Sequence, residues 1–371
     1  VRRAQIAAFL RTPYGWPYLL TPLIPAAVAL DIAGAPAGTV FVVSALGIVP
    51  TAALMGRATE ELAARSGPGI GGLLNVTFGN APELIIALFA LGQGLHEVVK
   101  ASIVGSIIGN ILLVLGGAML AGGLGRKKQT FSRTSASVQT SMLLLAAAAL
   151  LMPAIFELVE GKGLPLPGAE IVNYGSTVEH LSLAVAGVLI VTYVLGLVFS
   201  LKTHRDLFNP EYGDEDGWGW SVRTSVIALA IGGVLVGVMS EVLVGSISEA
   251  SRSVGLSEFF IGVIVVAIVG NAAEHWVAVL VAMKNKMDLA VNIAIGSSAQ
   301  VALFVAPVLV LASFFIGPHP LALVFNGFEL GAILIAVLIA NYVTQDGEST
   351  WFEGVQLLAV YLVFGIAFYY A

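Results

Sequence analysis

The chain has 371 residues, 58% of them hydrophobic and 11% charged, with a mean hydropathy of +0.94, against roughly 45–50% apolar and about 25% charged in soluble domains. That composition excludes an ordinary soluble fold and specifies an all-α polytopic membrane protein, in which the 42 glycines let helix backbones approach closely. A net charge of −6 with no cysteine makes the lipid bilayer, and not nucleic acid, the expected partner, and it excludes disulfides, thiolate metal sites and thiol nucleophiles.

A bilayer-spanning helix needs roughly 20 mostly apolar residues. By that measure about eleven transmembrane helices follow in chain order, at 14–33, 40–58, 69–92, 98–122, 136–156, 178–200, 221–249, 258–283, 288–316, 321–343 and 353–370. The first run carries Pro13, Pro17, Pro22 and Pro25, which kink or shorten a helix and make it the weakest span. No short apolar run followed by a small-residue cleavage site marks a signal peptide, so these helices are expected to stay in the mature protein. Positively charged loops stay in the cytoplasm. With a cytoplasmic N-terminus, fourteen of the seventeen Lys and Arg residues fall on the inner side, and only Lys100, Lys162 and Arg252 fall on the outer one. The C-terminus is then external.

One duplication organises the chain. Gly79-Asn80-Ala81-Pro82-Glu83 in the third run matches Gly270-Asn271-Ala272-Ala273-Glu274 in the eighth, and Gly105-Ser106 and Gly296-Ser297 follow Asn80 and Asn271 at the same offsets of 25 and 26. The copies begin five runs apart, an odd number, so the two halves are expected in opposite orientations. Secondary transporters of that kind place their sites near the midplane, where broken helices of the halves meet. The expected organisation is a segment with the first helix (1–36), a first five-helix repeat (37–202), an acidic cytoplasmic linker (203–219) and a second five-helix repeat (220–371). The linker, with Glu211, Asp214, Glu215 and Asp216, reads either as a solvated connection or as a cation-attracting, calcium-sensing strip.

An ionised carboxylate at bilayer depth is expensive and faces a cavity or a partner. Glu83 and Glu274 both lie inside apolar runs, and inverted repeats would bring them to the same depth. Two converging carboxylates cannot both stay charged and unpaired in a low-dielectric site, so they take up protons or hold a cation. A divalent ion neutralises the pair and so do two protons, which gives an exchange of one for two. The neighbours supply oxygen, the donor that hard cations such as calcium require. Asn80 and Asn271 each precede a glutamate by three residues, on one helix face if the turn is regular. Pro82 leaves the Phe78 carbonyl without its helical partner and Gly79 permits local unwinding, whereas Ala273 in the second copy makes a break there less expected. The paired runs add Ser106 and Asn110 in one half and Ser297, Ser298 and Gln300 in the other, with Gly109 as the repeat partner of Gln300. Asn110 and Ser106 serve equally well as interhelical hydrogen-bonding groups.

Other polar residues are less decisive. His275 reads either as a proton carrier or metal ligand or, since the other copy has no histidine and it lies about 100° round a regular helix from Glu274, as an incidental neighbour, the reading preferred here. Glu60, Glu61 and Glu249, at helix ends, are either access funnels or solvated caps, and Glu241 and Glu329, deeper in runs seven and ten, either relay protons or satisfy internal hydrogen bonds. No His-Glu-x-x-His spacing or nucleophile–base arrangement is present, so a transporter and not an enzyme is expected.

The two motifs and their Gly-Ser partners, Gly105-Ser106 and Gly296-Ser297-Ser298-Ala299-Gln300, resemble the alpha-repeats of the calcium/proton exchangers, within the cation/calcium exchanger superfamily. The resemblance implies a secondary antiporter that exchanges cytoplasmic calcium for external protons by alternating access, two gating helices sliding past a core bundle. Glu83 and Glu274 would carry Ca2+ or protons in turn, with Asn80, Asn271, Ser106, Ser297, Ser298, Gln300 and the Phe78 carbonyl lining the site, and with no cofactor. Sodium/calcium relatives show hydroxyl residues where Asn and Ala stand here, which favours protons as the counter-ion; a sodium-coupled exchanger and a cation channel are the alternatives. The absence of a long N-terminal extension resembles exchangers of prokaryotic cytoplasmic membranes, and a homo-oligomer is compatible with the sequence but not specified by it.

Overall fold

The computed structural model describes residues 12, 14–66, 73–74, 77–169, 175–204 and 219–371. In chain order its apolar helices are α1 (Trp16–Ile32), α2 (Ala37–Arg65), α3 (Ala81–Gly92), α4 (His96–Gly123), α5 (Arg133–Val159), α6 (Ser176–Thr203), α7 (Val222–Val254), α8 (Glu258–Met283), α9 (Met287–Ala312), α10 (Gly327–Val343) and α11 (Trp351–Tyr370). Among the described residues, eight of these are long and apolar enough to cross a membrane, while α1, α3 and α10 are shorter. The chain is an integral membrane protein built of helices. Most of the acidic linker, residues 205–218, lies outside the described residues, and so does most of the third run before Phe78.

The short helices have local causes. In α1 a 3-10 turn over Trp16–Leu20, with Pro17 in its first turn, gives way to an α-helix from Leu23, as the prolines require. A turn at Asn80 precedes α3, whose first turn holds Pro82, a residue without an N–H and suited to a helix start. The run expected as helix over 321–343 becomes helical only at Gly327, and this corrects the sequence expectation. Residues 321–326 are buried and without regular secondary structure, held by Leu321 N–H to Ser313 Oγ (2.7 Å), Leu323 N–H to Ser182 Oγ (3.0 Å) and Lys100 Nζ to the Val324 carbonyl (2.7 Å). Helix α10 then opens with a reciprocal capping box between Asn326 and Glu329. Glu329 therefore answers an internal hydrogen-bonding need at a helix start.

Helices α4 and α9 form the centre, with 83% and 72% of their most apolar stretches buried, while α6 and α11 at 22% lie at the periphery. Both central helices carry a π turn, at Gly109–Val114 in α4 and Val301–Val305 in α9, and α8 carries a third at Ile261–Val266. Where α4 crosses α8 the backbones nearly touch. A Cβ on Gly105 would collide with the Val263 carbonyl oxygen and sit 2.7 Å from Ala267 Cβ, and one on Gly262 would sit 2.8 Å from Ala101 Cβ. The long helices α2 and α7 pack against each other along their length, again over glycines: a Cβ on Gly47 would lie 2.8 Å from Met239 Cε, and one on Gly232 would lie 3.2 Å from Met55 Cβ.

Gly105→Ala should therefore lower the thermal stability of the detergent-solubilised protein by about 1–3 kcal/mol, the usual penalty of overpacking. Gly187→Ala, where an added Cβ meets nothing within 4 Å, should leave the melting temperature in place. Equal melting curves for the two variants would contradict the close α4–α8 crossing.

Candidate functional site

The break before α3 puts Asn80 at the N-cap and Glu83 in the first turn. Across from them α8 runs unbroken through Gly270, Asn271 and Glu274, as alanine in place of proline allows. The two motifs meet. A Cβ on Gly270 would lie 3.2 Å from Glu83 Cγ and 3.5 Å from Ile86 Cδ1, so glycine lets the Glu83 side chain lie closely against α8. The Asn271 amide also faces the Glu83 carboxyl.

Helices α4 and α9 hold the motifs from the flanks. Ser297 Oγ donates to Glu274 Oε1 at 2.5 Å. Asn80 Nδ2 donates to Gln300 Oε1 at 2.6 Å, whereas Asn271 Nδ2 donates to Ser106 Oγ at 3.1 Å and to the Ala267 carbonyl at 3.0 Å. Equivalent asparagines thus have different partners, because Gly109 stands where the other half has Gln300. With their N–H groups engaged, the carbonyl oxygens Asn80 Oδ1 and Asn271 Oδ1 remain buried without a hydrogen-bond partner, and so does Glu83 Oε1. An unsatisfied buried polar group costs about 1–3 kcal/mol. Three acceptor oxygens lacking donors beside a second carboxylate suit a hard cation, or a proton on the carboxylate. Among the described residues no group of three or more His, Asp or Glu side chains forms a metal cluster, so any such ion would rely on amide and hydroxyl oxygens as well as the two carboxylates.

The remaining residues divide clearly. Ser298 is fully buried and directs its hydroxyl to the Ala294 carbonyl at 2.9 Å and the Ile107 carbonyl at 3.3 Å, a helix-to-helix contact. The Phe78 side chain is half-buried and packs against the small cluster of Met55, Ala81 and Val236. Glu61 is buried and paired with Arg57 at 2.7 Å, with the Trp220 N–H at 3.3 Å from its other oxygen; it is not a solvated cap. Glu60 is exposed and bonded to the same arginine at 3.1 Å. Glu241 and Glu249 are both exposed.

His275 corrects an expectation. Its Nε2 lies 3.0 Å from Asn110 Oδ1, which ties α8 to the π turn of α4, so it is no incidental neighbour. The π turns themselves escaped sequence reasoning. Asn110 sits within the π turn of α4 and Gln300 immediately precedes that of α9, and such turns loosen the regular bonding of a helix at functional positions. A polar residue following Gly109 was a signal for the first, but Val301–Val305 is uniformly apolar and gave none.

The family model for the sodium/calcium exchanger protein matches residues 37–202 and 224–370. A Ca(2+)/H(+) antiporter of Synechocystis is 46% identical over 354 residues, covering 90% of this chain and 91% of the relative. The Ca(2+)/H(+) antiporter ChaA of Bacillus subtilis is 43% identical, covering 94% and 97%. The solved structure of native YfkE superposes with a TM-score of 0.81 at 38% identity, covering 96% of this chain and all of that one. With a family match over most of its length and relatives of this identity, the chain belongs to the sodium/calcium exchanger family, in its calcium/proton exchanger branch.

Proposed function

We propose that this protein exchanges cytoplasmic Ca2+ for external protons by alternating access, with Glu83 and Glu274 holding the divalent ion or protons in turn. The observation that carries this is the contact of the two repeated motifs, which lays Glu83 against Gly270, one turn from Glu274, with Asn80 Oδ1, Asn271 Oδ1 and Glu83 Oε1 all buried and lacking donors. Ca2+ would draw on the carboxylates and on Asn80 Oδ1 and Asn271 Oδ1, while Ser297 orients Glu274 and Gln300 and Ser106 orient the amides. Protonation removes the carboxylate charge and with it the attraction for the ion, so occupancy by one excludes the other. An exchange of one Ca2+ for two protons leaves the charge on the pair unchanged.

The inverted-repeat organisation, with halves at 37–202 and 220–371, is supported by the two stretches of the family match and by the π turns of α4 and α9, which follow Asn80 and Asn271 at nearly equal distances along the chain. The closely packed pair α2 and α7 would be the sliding unit, and α4 and α9 the fixed centre. The distribution of Lys and Arg supports a cytoplasmic N-terminus and an external C-terminus.

In proteoliposomes with an acidic interior, purified protein should concentrate Ca2+, and an outward-directed sodium gradient, from sodium-loaded vesicles at matched pH, should not. Glu83→Gln and Glu274→Gln should each abolish uptake while eluting as folded protein. Full transport by both variants, or uptake driven by sodium alone, would overturn the assignment. Gly270→Ala should push the Glu83 side chain aside by a few tenths of an ångström and raise the Ca2+ concentration for half-maximal uptake by about tenfold, and an unchanged value would contradict the Gly270–Glu83 contact.

A further inference from the structure

Six of the seventeen basic residues are gathered by the fold onto one surface. Arg126, Lys127, Lys128 and Arg133 lie between α4 and the start of α5, and Lys284 and Lys286 lie between α8 and α9. Arg126 joins the two groups: its guanidinium donates to the Gly122 carbonyl and, 157 residues away, to the Met283 carbonyl at 2.9 Å. Gln129 Nε2 adds bonds to the Ala282 carbonyl at 2.9 Å and to Asn285 Oδ1 at 3.0 Å. On its other side the segment pairs with Glu348–Ser349, just before α11, through Gln129–Thr130. All six cations are exposed.

Their charge is only partly answered. Lys128 pairs with Glu348 at 2.5 Å, Asp288 accepts from the Ser132 N–H, and Asp346 accepts from the Glu348 N–H at 3.0 Å. Three carboxylates therefore stand among six cations. Arg126 is engaged by carbonyls at the C-terminal ends of α4 and α8, and Lys284 donates to the Tyr14 hydroxyl at 2.9 Å. Among the described residues Lys127, Arg133 and Lys286 make no ion pair. The same surface is apolar as well: Leu124, Met283, Trp351 and Phe352 are 62%, 51%, 47% and 54% exposed. Trp351 starts α11 with its ring edge-on to Phe352, and its backbone lies against Gly123 at the end of α4. These residues all stand at the ends of membrane helices, the level that tryptophan favours and where lipid phosphates lie.

Exposed cations alone would suit any anion, but cations set among exposed apolar side chains at this level suit a ligand that is both anionic and apolar. We propose that this surface binds the headgroup of an anionic phospholipid, with Lys127, Arg133 and Lys286 meeting its phosphate and Leu124, Met283, Trp351 and Phe352 seating its glycerol and upper acyl carbons. The site is fastened to the end of α8, the helix of Glu274, through Arg126 and Gln129. It does not depend on which ions the protein exchanges.

The probe is phosphatidylglycerol with a pyrene-labelled acyl chain, titrated in mixed micelles into the detergent-solubilised chain. It should bind about tenfold more tightly than labelled phosphatidylcholine, a preference that added salt narrows, and inorganic phosphate should not displace it. Lys127→Gln, Arg133→Gln and Lys286→Gln should each weaken its binding by about fivefold and leave the lipid-free melting temperature in place. Arg252→Gln, at an exposed cation outside this surface, should bind as the wild type does. Equal affinity for the two lipids, displacement by inorganic phosphate, wild-type binding by all three variants, or an equal loss in Arg252→Gln would each overturn the proposal.

Discussion

Everything in this protein turns on the place where a glycine of one repeated motif lies against the glutamate of the other. Gly270 has no Cβ, so the side chain of Glu83 can lie against α8, where Asn271 follows directly and Glu274 one turn on. Two carboxylates gathered in a low-dielectric interior need a countercharge or protons. In the exchange we propose, a single ion of charge two, or two protons, would meet that need, so the chemistry would follow from this constraint more than from any elaborate ligand cage. The asparagine oxygens without donors complete the picture. Their N–H groups are engaged by Gln300 and Ser106, which leaves the carbonyl ends as acceptors.

The surrounding architecture keeps these groups in place. Helices α4 and α9 are the most buried in the molecule, and α4 is locked to α8 through crossings that admit only glycine at Gly105 and Gly262. Their π turns fall beside Asn110 and Gln300, so in these two helices the irregular backbone occurs next to polar groups of the interior. The α2–α7 pair also meets over glycines, Gly47 against the flexible end of Met239 and Gly232 against the backbone of Met55.

Much of this was legible in the sequence, for identifiable physical reasons. Long apolar runs declare membrane helices because a bilayer has a fixed thickness, and the repeated Gly-Asn-Ala-X-Glu motif stood out because charge is rare in such runs. The break at Pro82 and the unbroken helix at Ala273 follow from the missing N–H of proline. What sequence could not reach were contacts between distant segments. The Asn110–His275 pair joins residues 165 apart, and helical periodicity carries no information about that distance. The burial of residues 321–326 without regular secondary structure was hidden because an apolar run looks the same whether its backbone is bonded within a helix or to Ser182, Ser313 and Lys100. Glu61 and Arg57 lie within one turn and their pairing could have been read from spacing; the burial of Glu61 depends on packing and could not.

The central claim is that calcium and protons compete for the same pair of carboxylates. Proton release on calcium binding tests it most directly, by adding Ca2+ to the detergent-solubilised protein in weakly buffered solution with a pH indicator. The account predicts that Ca2+ displaces protons from the wild-type protein at a pH where the pair is protonated, and that the Glu83→Gln and Glu274→Gln variants release fewer. Calcium binding without any proton release across the accessible pH range would contradict it.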